Sequence, residues 1–389
     1  MSYFSNDAIN RVNLHAGIQA LAQGAGGVFF LVFLLKAGVS VPLALIAQAA
    51  IVAGRFAVRP GLLPLAKRWG LKPLLVGGTL ALAAQYLVLA EVHGPGVMLV
   101  ILCVVTGTAE VLYWLSYNAT FSALGDAEHR GHQVSAQVAL VAVSGVIAPL
   151  AGAWALVTLG ARIAFALVAL IQVAAATPLL GLPNLPVRVR AEGSLRAAKP
   201  GILFSAFDGW FDTYFLMLWR IALFVTLGES FSDYGGAMAL AGLLGAACGL
   251  LLGRHVDQGH GRRSLIIAYG VLTLVLLFRA ASLGFPRMAV AANALGSVAM
   301  ILISPTIGVI SNLAKSSPCP LRFHMGTEAG WDVGCFAACL ISATLIASGV
   351  PLSIVLLLAL PGIAGSVLVL WRLHRPREPK PSQGYATFR

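Results

Sequence analysis

Apolar stretches of about twenty residues recur from residue 12 to residue 372, separated by short polar breaks. A helix needs about 20 such residues to cross the hydrocarbon layer, and inside that layer the backbone must satisfy its own hydrogen bonds. The expected fold class is therefore an all-α integral membrane protein with twelve transmembrane helices. They are expected at 12 to 35, 39 to 58, 73 to 91, 96 to 122, 133 to 157, 160 to 181, 201 to 227, 232 to 253, 264 to 284, 287 to 312, 326 to 348 and 351 to 372. Only 10% of the 389 residues are charged, against roughly a quarter in a soluble chain, which excludes disordered and collagen-like classes. Five cysteines, odd in number and without a CxxC spacing, give neither a disulfide framework nor a zinc site. The first fifteen residues, MSYFSNDAINRVNLH, are too polar for a cleaved signal peptide, so the first span is expected to be retained.

The net charge of +12 comes from 26 Lys and Arg against 14 Asp and Glu. On a soluble protein it would suggest nucleic acid; here the basic residues separate apolar spans and set topology, so no nucleic-acid partner is expected. With the N-terminus in the cytoplasm, every Lys and Arg falls on the cytoplasmic side, Arg55 and Arg59 included, except Lys36, Arg162, Arg220, Arg279 and Arg287. Both termini are then cytoplasmic, and the compact loops suit a bacterial inner membrane. The tail HRPREPKPSQGYATFR reads as a basic anchor at that membrane's inner surface.

The longest polar break, LPNLPVRVRAEGSLRAAKP from Leu182 to Pro200, divides six spans from six. The expected organisation is an N-terminal six-helix bundle at 1–182, a cytoplasmic linker at 183–200, a C-terminal six-helix bundle at 201–375 and a cytoplasmic tail at 376–389. A glycine-and-basic loop follows span 2 (RPGLLPLAKRWGLKPLL) and another follows span 8 (GRHVDQGHGRRSL). A repeat of this kind marks transporters built from two similar bundles around a midplane site.

At these loops the sequence resembles the major facilitator superfamily, whose loop between spans 2 and 3 reads G-x-x-x-D-R-x-G-R-R/K, with a weaker copy between spans 8 and 9. In the first loop Arg68, Gly70 and Lys72 match, while Leu63, Lys67 and Leu71 depart. In the second, Gly253, Asp257, Gly261, Arg262 and Arg263 match, with Gln258 in the first arginine's place and one extra residue before Gly261. The resemblance implies two pseudo-symmetric six-helix bundles rocking about a central cavity lined mainly by spans 1, 4, 7 and 10. It also implies a cytoplasmic gate at those loop residues, joined by Glu128 and Arg130 of the span 4 to 5 loop. The residues alone allow a plainer account, in which the basic groups only satisfy topology. Span 5 carries SGVIAPLAGA, Ser144 to Ala153, similar to an exchanger pattern of the superfamily; small residues at this spacing equally let helices approach closely.

An ionised side chain at the bilayer centre costs about 2.5 to 3.5 kcal/mol even on lenient scales, so intramembrane acids need an explanation. Glu110 lies mid-span 4, with Trp114 and Asn118 on the same face; Asp208 and Asp212 share one face of span 7. Two acids one turn apart in an apolar setting are suited to holding and passing a proton, and Glu110, Asp208 and Asp212 are the proton-coupling candidates. Arg220 continues the Asp212 stripe two turns on. Glu328 and Asp332 are one turn apart in span 11, Glu328 being explicable as a first-turn acid beside a Thr327 cap. His15, Gln19 and Gln23 form a polar stripe in span 1; Asn293 and Ser297 form a shorter one in span 10. With the aromatics Tyr113, Trp114, Tyr117, Trp210 and Tyr214, and with Arg220 and Asp332, these are the substrate-cavity candidates, each also explicable as helix packing. Asn118 reads as interfacial.

No Walker loop, Rossmann fingerprint, H-E-x-x-H or G-x-S-x-G motif is present, and no metal site or cofactor is expected. The expectation is a non-enzymatic, monomeric, proton-coupled secondary transporter moving a small organic solute by alternating access, the proton gradient its energy source. A passive facilitator, a drug or metabolite exporter, a non-transporting receptor of the same fold and an intramembrane enzyme remain open alternatives.

Overall fold

The computed structural model describes residues 7–124, 130–187, 191–256 and 261–374. Its helices are α1 (Asp7–Ala25), α2 (Phe30–Lys36), α3 (Val41–Trp69), α4 (Leu71–Ala90), α5 (Val97–Leu124), α6 (Arg130–Thr158), α7 (Ala161–Ala175) and α8 (Thr177–Leu180) in the first half. The second half has α9 (Ser194–Asp212), α10 (Trp219–Thr226), α11 (Phe231–Val256), α12 (Gly261–Ser282), α13 (Pro286–Ser316), α14 (Pro320–Ala347), α15 (Leu352–Leu356) and α16 (Ala359–Leu373). Every expected span coincides with one helix or with two helices in series. Among the described residues, nine helical segments are long and apolar enough to cross a membrane. The fifth, seventh and eighth positions are filled by α6, by α9 with α10, and by α11.

The packing repeats. In the first half, span 1 (α1–α2) packs on spans 5 and 6 (α6, α7), span 3 (α4) on spans 4 and 6, and span 2 (α3) on span 4 (α5). Adding six to each span number gives the second half: span 7 (α9) packs on spans 11 and 12 (α14, α16), span 9 (α12) on 10 and 12, and span 8 (α11) on 10. The seams between the halves are also exchanged by this operation, since α3 packs on α14 and α6 on α11. The result is two pseudo-symmetric six-helix bundles.

Small residues make the close approaches. On α6, a Cβ added at Gly152 would lie 2.1 Å from the Ala25 carbonyl oxygen, and one at Gly242 of α11 would lie 2.3 Å from the Gly145 oxygen. The Ser144–Ala153 segment thus packs α6 against α1 on one face and α11 on the other, as the close-packing account of these residues expects.

Two helix limits differ from expectation. α3 does not stop near residue 58 but continues through Pro60 and Pro64 to Trp69. Proline removes a backbone donor without ending the helix here, because neighbouring helices support the freed groups. Gly70 then ends it at φ +80, in the left-handed region. Likewise α14 begins at Pro320, so Glu328 is not a first-turn acid and Thr327 is not a cap: the Thr327 hydroxyl donates to the His324 carbonyl instead.

The halves touch at both ends of the bundle. Beside the turn joining α1 to α2, Phe29 meets Phe231 and Tyr234 edge-on, the Tyr234 hydroxyl donates to the Val28 carbonyl at 3.0 Å, and Lys36 pairs with Glu229 at 3.6 Å. At the opposite end, which carries the exposed Arg68, Arg196, Lys199 and Arg263, Ser122 of α5 bonds His324 of α14 at 3.4 Å. We call these the aromatic face and the basic face.

Candidate functional site

Between these contacts, at the α3–α14 seam, lies a cluster of buried and part-buried charges. Arg55 is in the middle of α3, only 5% exposed, and Arg59 one turn on is 4% exposed. Arg55 Nη1 donates to Glu110 of α5 at 2.9 Å and its Nη2 to Glu328 of α14 at 2.8 Å. Its Nε lies 3.2 Å from Asp332 Oδ1, close enough to pair yet poorly aligned for a hydrogen bond. Arg59 Nη2 pairs with Asp332 Oδ2, and Asn118 of α5 donates to Glu328 at 3.4 Å. The cluster therefore joins two helices of the first half to one of the second. Counting charges, three carboxylates surround two guanidinium groups.

The cluster extends sideways through Trp331 on α14. Its ring lies under the Arg55 guanidinium, 5.1 Å from the centroid, while its indole Nε1 donates to Asp212 of α9 at 3.1 Å. Asp208, one turn before Asp212, is half-buried and has no hydrogen-bond or ion-pair partner among the described residues. Immediately after Asp212 the helix widens into a π-helical segment, Thr213–Leu218, before continuing as α10. The stripe expected to run from Asp212 to Arg220 passes through this wider turn. Arg220 lies beyond it, without an ion-pair partner among the described residues.

The expected cavity residues divide. Asp332 enters the seam cluster, where it pairs with Arg55 and Arg59. His15 is 0% exposed and fully engaged inside the first half, one ring nitrogen 2.7 Å from the Ala175 carbonyl and the other 3.0 Å from the Tyr113 hydroxyl. Tyr113 and Tyr117 are buried beside it. Gln19 accepts from Gln172 of α7, and Gln23 packs over Gly27. In the second half, Tyr214 is buried, Trp210 donates to the Leu358 carbonyl at 2.6 Å, Asn293 bridges Trp219 and the Ala237 carbonyl, and Ser297 donates to Ala241 at 2.6 Å. His15, Tyr113, Gln19, Tyr214, Asn293 and Ser297 each have a hydrogen-bond partner on a neighbouring helix of their own half. Trp114 remains accessible. The two crevices described, of about 740 and 520 Å³, open at the ends of the bundle.

A model of the Major Facilitator Superfamily matches residues 16–318. The chain belongs to this superfamily. The human organic anion transporter MFSD10 (TETRAN) has a similar crystal structure, with a TM-score of 0.68 at 14% identity over 94% of this chain and 99% of that one. At such identity the likeness shows the shared fold, which is that of a multi-pass membrane transporter. No curated protein sequence matches.

The superfamily's loop residues are placed as follows. Gly70 makes the left-handed turn between α3 and α4, where an added Cβ would lie 2.1 Å from Asn184 Oδ1. Asn184 donates to the Trp69 carbonyl at 2.8 Å, and Lys72 reaches the Leu180 carbonyl at 2.5 Å. Arg68 is exposed. Arg262 covers the Trp371 ring at 4.5 Å and Arg263 is exposed. The described contacts of Gly70, Lys72 and Arg262 stay within one half or reach only the linker. Gly253, Gly261 and Arg130 lie on described helices, though their side chains do not; Glu128 and Asp257 lie outside the described residues.

Arg55 and Arg59, which join the halves within the α3–α14 seam, are read from the sequence as lying at the cytoplasmic surface. They are buried because α3 runs eleven residues past its expected end, to Trp69. A signal for them existed: two arginines four apart on one helix and two acids, Glu328 and Asp332, four apart on another, each pair sharing a face.

Proposed function

We propose that the protein is a proton-coupled secondary transporter that moves a small organic solute by alternating access. One observation carries this reading: a cluster of three carboxylates and two arginines, with Arg55, Arg59 and Asp332 buried and Glu110 and Glu328 part-buried, joins the halves across the α3–α14 seam and is one positive charge short of neutrality. Ionisable groups within a membrane bundle mark ion and proton paths. Glu110 is the carboxylate of the cluster on the first half. Asp212, linked to the cluster through the Trp331 indole, and Asp208 one turn before it extend the path to α9. Opening the seam breaks the pairs that Arg55 and Arg59 make with Glu328 and Asp332, so proton and solute binding shift the equilibrium between closed and open seam by differential affinity. The basic face is the cytoplasmic one, by the excess of Lys and Arg there, and the membrane is the cell's inner membrane.

The test is reconstitution into liposomes containing a pH-sensitive dye, with a panel of organic cations, anions and neutral solutes, for wild type and for Glu110→Gln, Asp208→Asn and Asp212→Asn. The expected result is solute-triggered proton flux in wild type that at least one substitution abolishes. Solute flux with no proton movement, unchanged in all three variants, would show a passive facilitator instead.

A further inference from the structure

Arg279, in the last turn of α12, is 3% exposed and has no carboxylate beside it among the described residues. A guanidinium buried without a counter-ion in a membrane bundle requires strong compensation. Here the compensation is backbone and aromatic. Nη1 donates to the Phe215 carbonyl at 2.6 Å, Nε to the Ala292 carbonyl of α13 at 3.4 Å, and the cation lies over the Phe215 ring at 3.9 Å and the Trp219 ring at 4.6 Å. Gly296 of α13 leaves the space for it, since a Cβ there would lie 1.8 Å from Arg279 Nη2. With rings on the guanidinium and backbone around it, no face is left for a solute.

Phe215 lies within the π-helical segment that begins just after Asp212. A π-helical turn carries an extra residue and gives up regular α-helical hydrogen bonding, so it persists only where its surroundings hold it. Arg279 supplies such a hold at both the carbonyl and the ring of Phe215. Trp219, at the far end of the segment, is held in turn by its indole N–H donating to Asn293 Oδ1 at 3.0 Å.

We propose that Arg279 is a positioning residue that clamps the π-helical turn of span 7 and thereby fixes how the face bearing Asp208 and Asp212 is rotated relative to α10. Without the clamp the turn relaxes toward α-helix or frays, and Asp212 leaves the Trp331 indole. The clamp itself does not depend on what the transporter carries or on proton coupling. Its link to function rests on the reading of Asp208 and Asp212 given above.

The test uses the full-length protein in nanodiscs and in liposomes, comparing wild type, Arg279→Met and Arg279→Lys. Hydrogen exchange over residues 211–222 is expected to rise about tenfold in Arg279→Met, with the other helices at wild-type protection. Transport is expected to fall about tenfold with it, and Arg279→Lys, which keeps a donor, to recover much of both. Unchanged exchange over 211–222 in Arg279→Met overturns the clamp. Exchange raised throughout the molecule also overturns it, because that reads general unfolding. Raised exchange confined to the segment with normal solute flux overturns the link to transport while leaving the clamp. If proton coupling fails but the clamp is right, exchange over 211–222 still rises in Arg279→Met, whatever the flux does.

Discussion

Asp332 carries the sharpest consequence at the scale of single residues, being only 1% exposed and shared by Arg59 and Arg55. Removing one member of a buried pair strands the other's charge, which costs about 3–5 kcal/mol, whereas replacing both by apolar groups is close to neutral. Arg59→Met is therefore expected to lower unfolding stability by about that amount, and Arg59→Met with Asp332→Leu to restore most of it, measured by denaturant titration in detergent. Glu91 is the contrast. Arg162 donates to it at 2.8 Å at the aromatic-face end of α4, and this hydrogen bond holds the carboxyl below the usual carboxylate range. Its folded value being depressed, the pair contributes above the unfolded carboxyl value and fades as pH falls through the folded one. The pair is exposed and screened, so Glu91→Gln is expected to leave the unfolding midpoint at neutral pH where it was. The sequence identified Glu110, Asp212 and Asp332 as acids out of place, because hydropathy exposes a charge inside an apolar run directly. It did not identify their partners. Arg59 and Pro60 form an RP dipeptide that reads as the end of a helix, with Arg55 one turn before it, and only the third dimension shows which faces meet.

Among the elements, the pairing of α9 with α14 is set by missing side chains. A Cβ on Gly334 would lie 1.9 Å from the Ala206 oxygen, and one on Gly330 2.3 Å from the Ile202 oxygen. Gly334→Ala is expected to cost about 1–3 kcal/mol by forcing these helices apart. Gly54, inside α3 with nothing within 4 Å of its added Cβ, should behave oppositely, Gly54→Ala stabilising by up to about 1 kcal/mol. Thermal unfolding of the two variants in one detergent checks both signs. Helix existence was legible in the sequence, because the length and polarity of each run measure the same quantity as a membrane crossing. Helix ends and internal phase were not. The prolines of α3 mimic a loop, and nothing in TYFLML announces a π turn, since what holds it is Arg279 on another helix.

Taken as a whole, the molecule has two seams exchanged by its pseudo-symmetry but built from different materials: α3–α14 holds ion pairs, and the α6–α11 contact includes close-packed glycine and alanine. If the halves rock, closure of the aromatic face must alternate with opening. Cysteines at Lys36 and Glu229, on a background without the five native cysteines, are expected to stop solute flux when bridged by a short bismaleimide, with each single cysteine unaffected; flux persisting after bridging would argue against such rocking. The division into six and six was legible from span count and the polar linker, while the unlike seams depend on contacts distant in sequence. The unequal polarity of the helices also bears on how the protein is made. Span 7 carries Asp208, Asp212 and Arg220, and at about 2.5–3.5 kcal/mol for each charge at mid-membrane it is a poor candidate to enter lipid alone. The groups that shelter it, Trp331 on α14 and Arg279 on α12, as well as the α16 helix it packs against, all emerge later from the ribosome. Biogenesis of the second half is therefore a matter of waiting: the first acidic helix must be kept beside the insertion machinery until the last helices arrive to enclose it.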